Sequence, residues 1–412
     1  MADKDLRMQA VDLFQVAVKA ADPAGAVARA LKADPIAPFG GKLIVLALGK
    51  AACAMIEEAL RHLPTPTRAL AITNAENARD IDGVDLLIGE HPVPSTGSAA
   101  AGAALLDAVS GLGPEDRVLA LISGGGSALA IAPVAGISLT EKQQANGILL
   151  GSGLDINQMN LVRQCLSRTK GGGLLAAAAP AQVRALILSD VIGDDLRVVA
   201  SGPTVGRVGS AAEARDVLHK AGVWDDIPEA VRHHLEQDTA PPAAREAQNQ
   251  IVGSNRVSLD AVAAACTDAQ IVEDELTGDV ADAAARVLQA MEASDGPQTL
   301  IFGGETTVRI KGDGLGGRNQ ELALRVALGA QHLDGDWVFL SGGTDGRDGP
   351  TDAAGGLVDR GTIKRMQAAG LDPQAILDNN DSYHGLQAAG DLLTVGGTGT
   401  NVADVQLFLR RS

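Results

Sequence analysis

Short aliphatic runs recur along this chain, and most end in glycine before a stretch with helical spacing. The first is LIVLALGKAACAMIEEAL (Leu43 to Leu60). VLALISGGGSALA (Val118 to Ala130), ALILSDVIGDD (Ala185 to Asp195) and QIVGSNRVSLDAVAAA (Gln250 to Ala265) repeat the pattern. TLIFGGETTVRI, WVFLSGGTDGRDG and LLTVGGTGTNVADV continue it. Unbroken apolar runs suit strands buried on both faces. Strands separated by helical segments predict parallel sheets with helices packed on them. The runs are not close copies, so a solenoid is not indicated. Ahead of the first strand, Leu6, Ala10, Leu13, Phe14 and Ala17 keep helical spacing and predict an amphipathic helix. From Pro203 to Asn249 the pattern changes. DVLHKAGVWDDIPEAVRHHLEQ reads as one or two helices and TAPPAAREAQN as a linker, which puts a boundary near residue 240. The expected organisation is an N-terminal α/β domain over 1–240 and a smaller C-terminal α/β domain over 241–412. Ligands of open α/β sheets gather beyond the carboxyl ends of strands, where these glycine turns lie, so the site is expected in a cleft between the domains.

Composition narrows the ligand. The 412 residues carry a formal net charge of −17 and 2% aromatic residues. A polyanion is bound mainly through Lys and Arg, and single strands through aromatic stacking, so nucleic acid is excluded as a partner. An anionic ligand needs a local island of basic residues. No apolar run approaches the roughly 20 residues of a membrane span. MADKDLRMQAVDLFQ is not a secretory leader. Cys53, Cys165 and Cys266 show neither a disulfide framework nor metal-knuckle spacing, and a cytoplasmic location is expected. Glycine is in excess: 49 residues, against a usual share of about 7%.

Several motifs are missing. LALGKAA has Ala51 where a P-loop needs Ser or Thr. No G-x-G-x-x-G follows the first strand, which weakens a dinucleotide site. Gly125-Gly126-Ser127-Ala128-Leu129 fails the nucleophile elbow at its last position. His233 and His234 are adjacent, point apart on a helix, and read as surface residues.

The chemistry therefore rests on residues at strand ends. ISGGGSA is either a tight strand-to-helix turn or a cradle whose backbone N–H groups meet phosphate oxygens. Lys50 opposes the dipole of the helix it precedes, so it is either solvated or held for an anion. Arg163 and Lys170 flank a helical stretch closed by Gly171, Gly172 and Gly173, which read as a helix C-cap that Lys170 could also serve. Asp190 stands just past a buried strand, as a general base, a Mg²⁺ ligand or a turn residue. Asp194 and Asp195 read as helix-start residues. Arg318 precedes an amphipathic helix, NQELALRVAL, behind the loop KGDGLGG, and its planar fork suits phosphate or carboxylate. Glu305 in GGETTV, with Asp345, Asp348 and Asp352 in SGGTDGRDGPTDAAGG, are candidates for substrate or metal contacts. Lys50, Asp190 and Arg318 together form the cation, carboxylate, cation set that phosphoryl transfer uses.

In order along nearly the whole chain, ALGKAA, EHPVPS, ISGGGSA, NLVRQCLSRTKGG, LSDVIGDD, ASGPT, GGETTV, GLGGRNQE, GGTDGRDGPTDAAG and GGTGTNVAD resemble the glycerate 2-kinase family with a C-terminal MOFRL domain. Some members of that family have been labelled hydroxypyruvate reductases. The resemblance implies an N-terminal Rossmann-like three-layer α/β/α domain facing a smaller MOFRL domain. It implies phosphorylation of D-glycerate at the 2-hydroxyl by ATP with Mg²⁺. Carried over by motif, the family's lysine is Lys50, its arginine Arg318 and its LSDV aspartate Asp190, which is also the Mg²⁺ candidate. Gly124, Gly125, Gly126 and Ser127, with Lys170, are expected at the nucleotide phosphates. A homodimer is expected. Gln164 and Cys165 stand where members commonly have Lys and His, and Ser95 where an acid often follows EHPVP. The alternatives are an NAD(P)H-dependent hydroxypyruvate reductase and a silent two-lobed acid-binding protein.

Overall fold

The computed structural model describes residues 5–237, 246–294, 296 and 298–411. They fall into two compact units. Residues 23–189 and 194–252 make the first, and residues 1–22, 190–193 and 253–412 the second.

The first unit carries six strands: β1 (Leu43–Leu48), β2 (Arg68–Thr73), β3 (Asp85–Ile88), β4 (Arg117–Ile122), β5 (Gln182–Leu188) and β6 (Gln248–Gly253). Their order is β3-β2-β1-β4-β5-β6, and β1 to β5 pair in parallel. All six residues of β1 are buried, as a strand covered on both faces requires. One face packs Ile44, Leu46 and Leu48 against Ala101, Leu105 and Leu174 from flanking helices. A second apolar cluster lies among the helices Leu139–Gly151, Ile156–Cys165, Ala211–Lys220 and Glu229–Glu236. The strand order reverses between β1 and β4. In open α/β sheets that reversal opens a crevice at the carboxyl ends, so the turns after β1 and β4 share it.

The second unit is built differently from the expected parallel sheet. Its strands are β7 (Ala269–Glu273), β8 (Gly278–Asp279), β9 (Gln298–Gly304), β10 (Thr306–Thr307), β11 (Trp337–Gly343), β12 (Gly355–Asp359), β13 (Leu392–Leu393) and β14 (Asp404–Arg410). The main sheet runs β13-β12-β11-β14-β9-β7, and only β7 and β9 pair in parallel. The physical reason is the connections. A loop without a helix joins β11 to β12, which favours an antiparallel pair, and β14 inserts antiparallel between β9 and β11.

The helix expected at the N-terminus is present as Leu6–Ala20, with Leu6, Ala10, Leu13, Phe14 and Ala17 buried. Its apolar face packs on Leu340, Val405 and Leu407 of the second unit's sheet. Periodicity identified the buried face but not what would cover it. The boundary expected near residue 240 lies outside the described residues, and the units change over at Val252 and Gly253. Among the described residues no helix is long and apolar enough to cross a membrane.

Candidate active site

The crevice side of the first unit is set by Gly49. Its φ is +125°, and a Cβ there would lie 2.2 Å from Ser123 Oγ and 2.4 Å from Ser123 O. Only glycine allows the turn after β1 to touch the turn after β4 so closely. Ser123 Oγ accepts from the Ala51 N–H at 3.1 Å, and the Lys50 N–H donates to Gly124 O at 2.9 Å. The backbone of Lys50 is thus pinned to the glycine loop while its side chain stays exposed. Gly125 is left-handed, φ +83°, and a Cβ there would sit 3.2 Å from Lys50 Cγ and 3.5 Å from His91 Cδ2. Gly126 begins a four-residue helix, Gly126–Leu129. Partial burial, and then the charge of Lys50, hold the His91 imidazole below its ordinary pKa. His91 was not singled out in the sequence. Its motif, EHPVPS, was visible, but no spacing tied it to Lys50.

Ser127 points to a second network. Its Oγ lies 2.6 Å from Ser201 Oγ, which also donates to Asn160 Oδ1 at 3.2 Å. Ala200 and Ser201 are both left-handed, a conformation that costs a non-glycine residue about 1 kcal/mol or more. Gln164 offsets that strain. Its Nε2 donates to Arg197 O at 2.9 Å and Ser201 O at 3.2 Å, and its Oε1 accepts from the Val208 N–H at 2.8 Å. The departure from the family's lysine at this position therefore staples the 197–208 loop. Cys165 beside it is a free, buried thiol whose pKa burial raises, so it carries no charge for catalysis. Ser95, the other departure, caps the helix Thr96–Ala108.

Three local readings need correction. Gly171, Gly172 and Gly173 do not close the helix Ile156–Cys165, whose C-cap is Leu166; they lead into the next helix, Gly173–Ala177. Asp194 and Asp195 start no α-helix; they precede the turn at 196–198, and Asp195 pairs with Arg197. The segment after Arg318 keeps its apolar spacing but is buried on more than the apolar face. Helix Arg318–Gly329 buries Asn319, Gln320 and Glu321 as well as its leucines. Its polar groups are matched inside: Ser341 Oγ donates to Asn319 Oδ1 at 2.6 Å, and Gln320 Nε2 to Thr351 Oγ1 at 2.7 Å.

In the second unit Arg318 is the first residue of that helix. Its Nε and Nη2 donate to Asp404 Oδ2 and Oδ1 at 2.6 and 3.0 Å, and its Nη1 lies 3.1 Å from Glu305 Oε1. Burial opposes the guanidinium's charge, but the bonds and field of Asp404, then Glu305 and Asp348, outweigh it and raise the Arg318 pKa. Asp348 has a different duty from the one expected. It accepts from the Asn319 and Gln320 N–H groups at 3.1 and 2.8 Å and so caps the helix from a distant loop. Burial nevertheless pushes its pKa up to about 7. Asp345 accepts from the Arg347 N–H at 3.0 Å, and Asp352 from Tyr383 Oη at 2.8 Å.

Glu305 is raised by burial and relieved by Arg318, while Asp404, Asp190 and Asp345 push it further up. Glu305 and Asp404 both meet Arg318, and a cluster of carboxylates is chemistry suited to a divalent cation. Yet no group of three His, Cys, Asp or Glu among the described residues is placed to hold a metal. A Mg²⁺ here would therefore take one or two carboxylates and complete its shell with phosphate oxygens and water, as is usual for that ion.

Residues 9–236 match a family described as a domain of unknown function, DUF4147, and residues 298–404 match the MOFRL family. A D-glycerate 2-kinase of Thermotoga maritima is 37% identical over 98% of this chain and 99% of its own length. The chain belongs to the glycerate 2-kinase family. A crystal structure of a Thermotoga maritima glycerate kinase is similar to it with a TM-score of 0.91 and 36% identity, covering 98% of this chain and 99% of that one. Another relative of this glycerate 2-kinase family member, from Agrobacterium vitis, is 39% identical over 96% of this chain and 93% of its own. It carries a provisional hydroxypyruvate reductase name. The MOFRL match contains Glu305, Arg318, Asp345 and Asp348 and ends on Asp404. The sequence reading missed Asp404, although it lies in the quoted motif GGTGTNVAD.

Proposed function

We propose that this protein transfers the γ-phosphoryl group of ATP to the 2-hydroxyl of D-glycerate, giving 2-phosphoglycerate and ADP. The observation that carries this reading is similarity to a D-glycerate 2-kinase over 98% of this chain, with Lys50 standing at the glycine turn after β1. The substrate's 2-oxygen forms a bond to the γ-phosphorus, and the bond from that phosphorus to the β–γ bridging oxygen breaks. Asp190 takes the hydroxyl proton. Such a transfer needs positioning and positive charge more than covalent chemistry. The glycine loop 124–126 and Ser127 supply donors to the nucleotide phosphates. Lys50 and Arg318 are the cations assigned to the transferring group. Mg²⁺, when bound with ATP, spreads phosphate charge, and Asp190 and Glu305 are the residues assigned to hold it. His91, kept neutral beside Lys50, leaves the lysine as the local cation.

The test is an ADP-release assay with D-glycerate, run beside NAD(P)H absorbance with hydroxypyruvate. ADP release that depends on D-glycerate, with no NAD(P)H oxidation, is expected. NAD(P)H oxidation without ATP consumption would replace this reading with the reductase.

A further inference from the structure

The first unit holds a group of like charges that the scheme above does not use. Lys142 lies on the helix Leu139–Gly151, Arg163 on the helix Ile156–Cys165, and Lys170 on the loop that follows it. Lys142 is 1% exposed and Lys170 5%. The Arg163 Nε is buried with no hydrogen-bond partner. Lys142 donates to Leu166 O at 3.1 Å, which gives it a structural role at the end of the second helix. Lys170 and Arg163 have no such partner among the described residues. The charges that bear on Lys170 are those of Lys142 and Arg163, and no carboxylate stands among them.

Buried cations of one sign are held there at a cost, which burial answers by drawing their pKa down and which an entering anion would relieve. The neighbourhood connects this group to the glycine loop. The Gly171 N–H donates to Ser201 O at 3.0 Å, and Ser201 Oγ meets Ser127 Oγ at 2.6 Å. The loop's own N–H groups already serve the nucleotide in the reading above, which leaves the acid's carboxylate without a cation.

We propose that Arg163 and Lys170, backed by Lys142, form the site that binds the carboxylate of the hydroxy-acid substrate; this rests on the glycerate kinase reading. Arg163 offers the planar fork that matches a carboxylate, and Lys170 a buried point charge. The available charge also suits a monoanion better than a polyphosphate. Burial and its cationic neighbours hold Lys170 well below the ordinary lysine range, and burial with Arg163 lowers Lys142 to about 8. Lys170 is thereby assigned to the acid rather than to the nucleotide phosphates expected from the sequence. Such a site makes the enzyme select an acid over a neutral polyol of the same length.

Lys170→Met and Arg163→Gln are the test, read by steady-state kinetics and by calorimetric titration of D-glycerate and of glycerol. A charged hydrogen bond lost from the site raises KM for D-glycerate about thirtyfold or more, while KM for ATP stays within about threefold. Removing an uncompensated buried cation should leave the melting temperature of Lys170→Met unchanged or higher. Wild type should bind D-glycerate and not glycerol, and the variants should lose that binding. Unchanged KM for D-glycerate in both variants, or a rise confined to ATP, overturns the assignment. A wild type that binds D-glycerate through Lys170 but consumes no ATP overturns the kinase reading and leaves the carboxylate site standing. A wild type that binds glycerol as well as D-glycerate overturns the site.

Discussion

Asp404 holds Arg318 with both carboxylate oxygens, at 2.6 and 3.0 Å, and is itself fully buried at the start of β14. A buried carboxylate of this kind fixes the direction of a guanidinium that would otherwise sample many rotamers. The pair places Arg318 at the first position of its helix with its Nη1 turned to Glu305. Asp404→Asn removes the charge and half of the fork. With Asp404 buried and Arg318 partly exposed, the cost falls below the roughly 3–5 kcal/mol of a fully buried pair. Turnover is expected to fall about a hundredfold or more, the size seen when one preorganised electrostatic contact is lost. The double variant Arg318→Met with Asp404→Leu separates the two effects. Its melting temperature should recover toward wild type while its activity stays lost. Recovery of activity along with stability would mean that Arg318 only holds the fold together.

Lys50 is the simpler case because its side chain is exposed. Lys50→Met should leave the melting temperature unchanged and lower kcat/KM for D-glycerate and ATP about 10²- to 10³-fold, as removal of one oxyanion contact does. Kinetics and a thermal scan on the same preparation check both halves. Near-wild-type kcat/KM would remove Lys50 from the reaction.

What the sequence made legible, and what it did not, divides along physical lines. Local signals were readable. The apolar runs gave the parallel strands of the first unit, and the spacing of Leu6, Ala10, Leu13, Phe14 and Ala17 gave the buried face of the first helix. Long-range pairing was not readable. Nothing in the apolar run of β14 says that it inserts antiparallel between β9 and β11. The same limit hid Asp404, 86 residues from Arg318, and Lys142, whose neighbours Arg163 and Lys170 were noted while it was not. Asp348 looked like a loop ligand because helix caps are sought next to the helix. Here the cap arrives from 29 residues away.

Two glycines of the candidate site separate a folding role from a catalytic one. Gly49 cannot accept a Cβ, because backbone atoms of Ser123 occupy the space and φ is +125°. Gly49→Ala should lower stability by about 2 kcal/mol or more, through overpacking and backbone strain together. Gly125 is also left-handed, but the atoms nearest its missing Cβ belong to the Lys50 and His91 side chains, at 3.2 to 3.5 Å. Gly125→Ala should cost about 1 kcal/mol of stability and displace Lys50, so its loss of kcat should exceed what its melting temperature suggests. Equal losses in both variants, in both measurements, would show that the loop acts as one rigid unit.

Asp348 makes a prediction with a definite sign. Its ordinary pKa is 3.8, and burial raises it to about 7 in the folded protein. Between those values the folded state binds the proton more tightly than the unfolded chain does. The stabilisation linked to that proton is complete below about pH 4 and is lost as pH rises through about 7. Asp348→Asn cannot titrate; it keeps one acceptor oxygen of the cap and puts a donor NH₂ in place of the other, a loss that does not vary with pH. From pH 5 to pH 8 the wild type should therefore lose about 2–3 kcal/mol relative to the variant. Melting temperatures of the two proteins at intervals across that range measure the difference directly, because every other titrating group is common to both. A wild type that gains on the variant as pH rises would mean that the Asn319 and Gln320 N–H groups hold the carboxylate ionised. Burial would then lose to the helix cap.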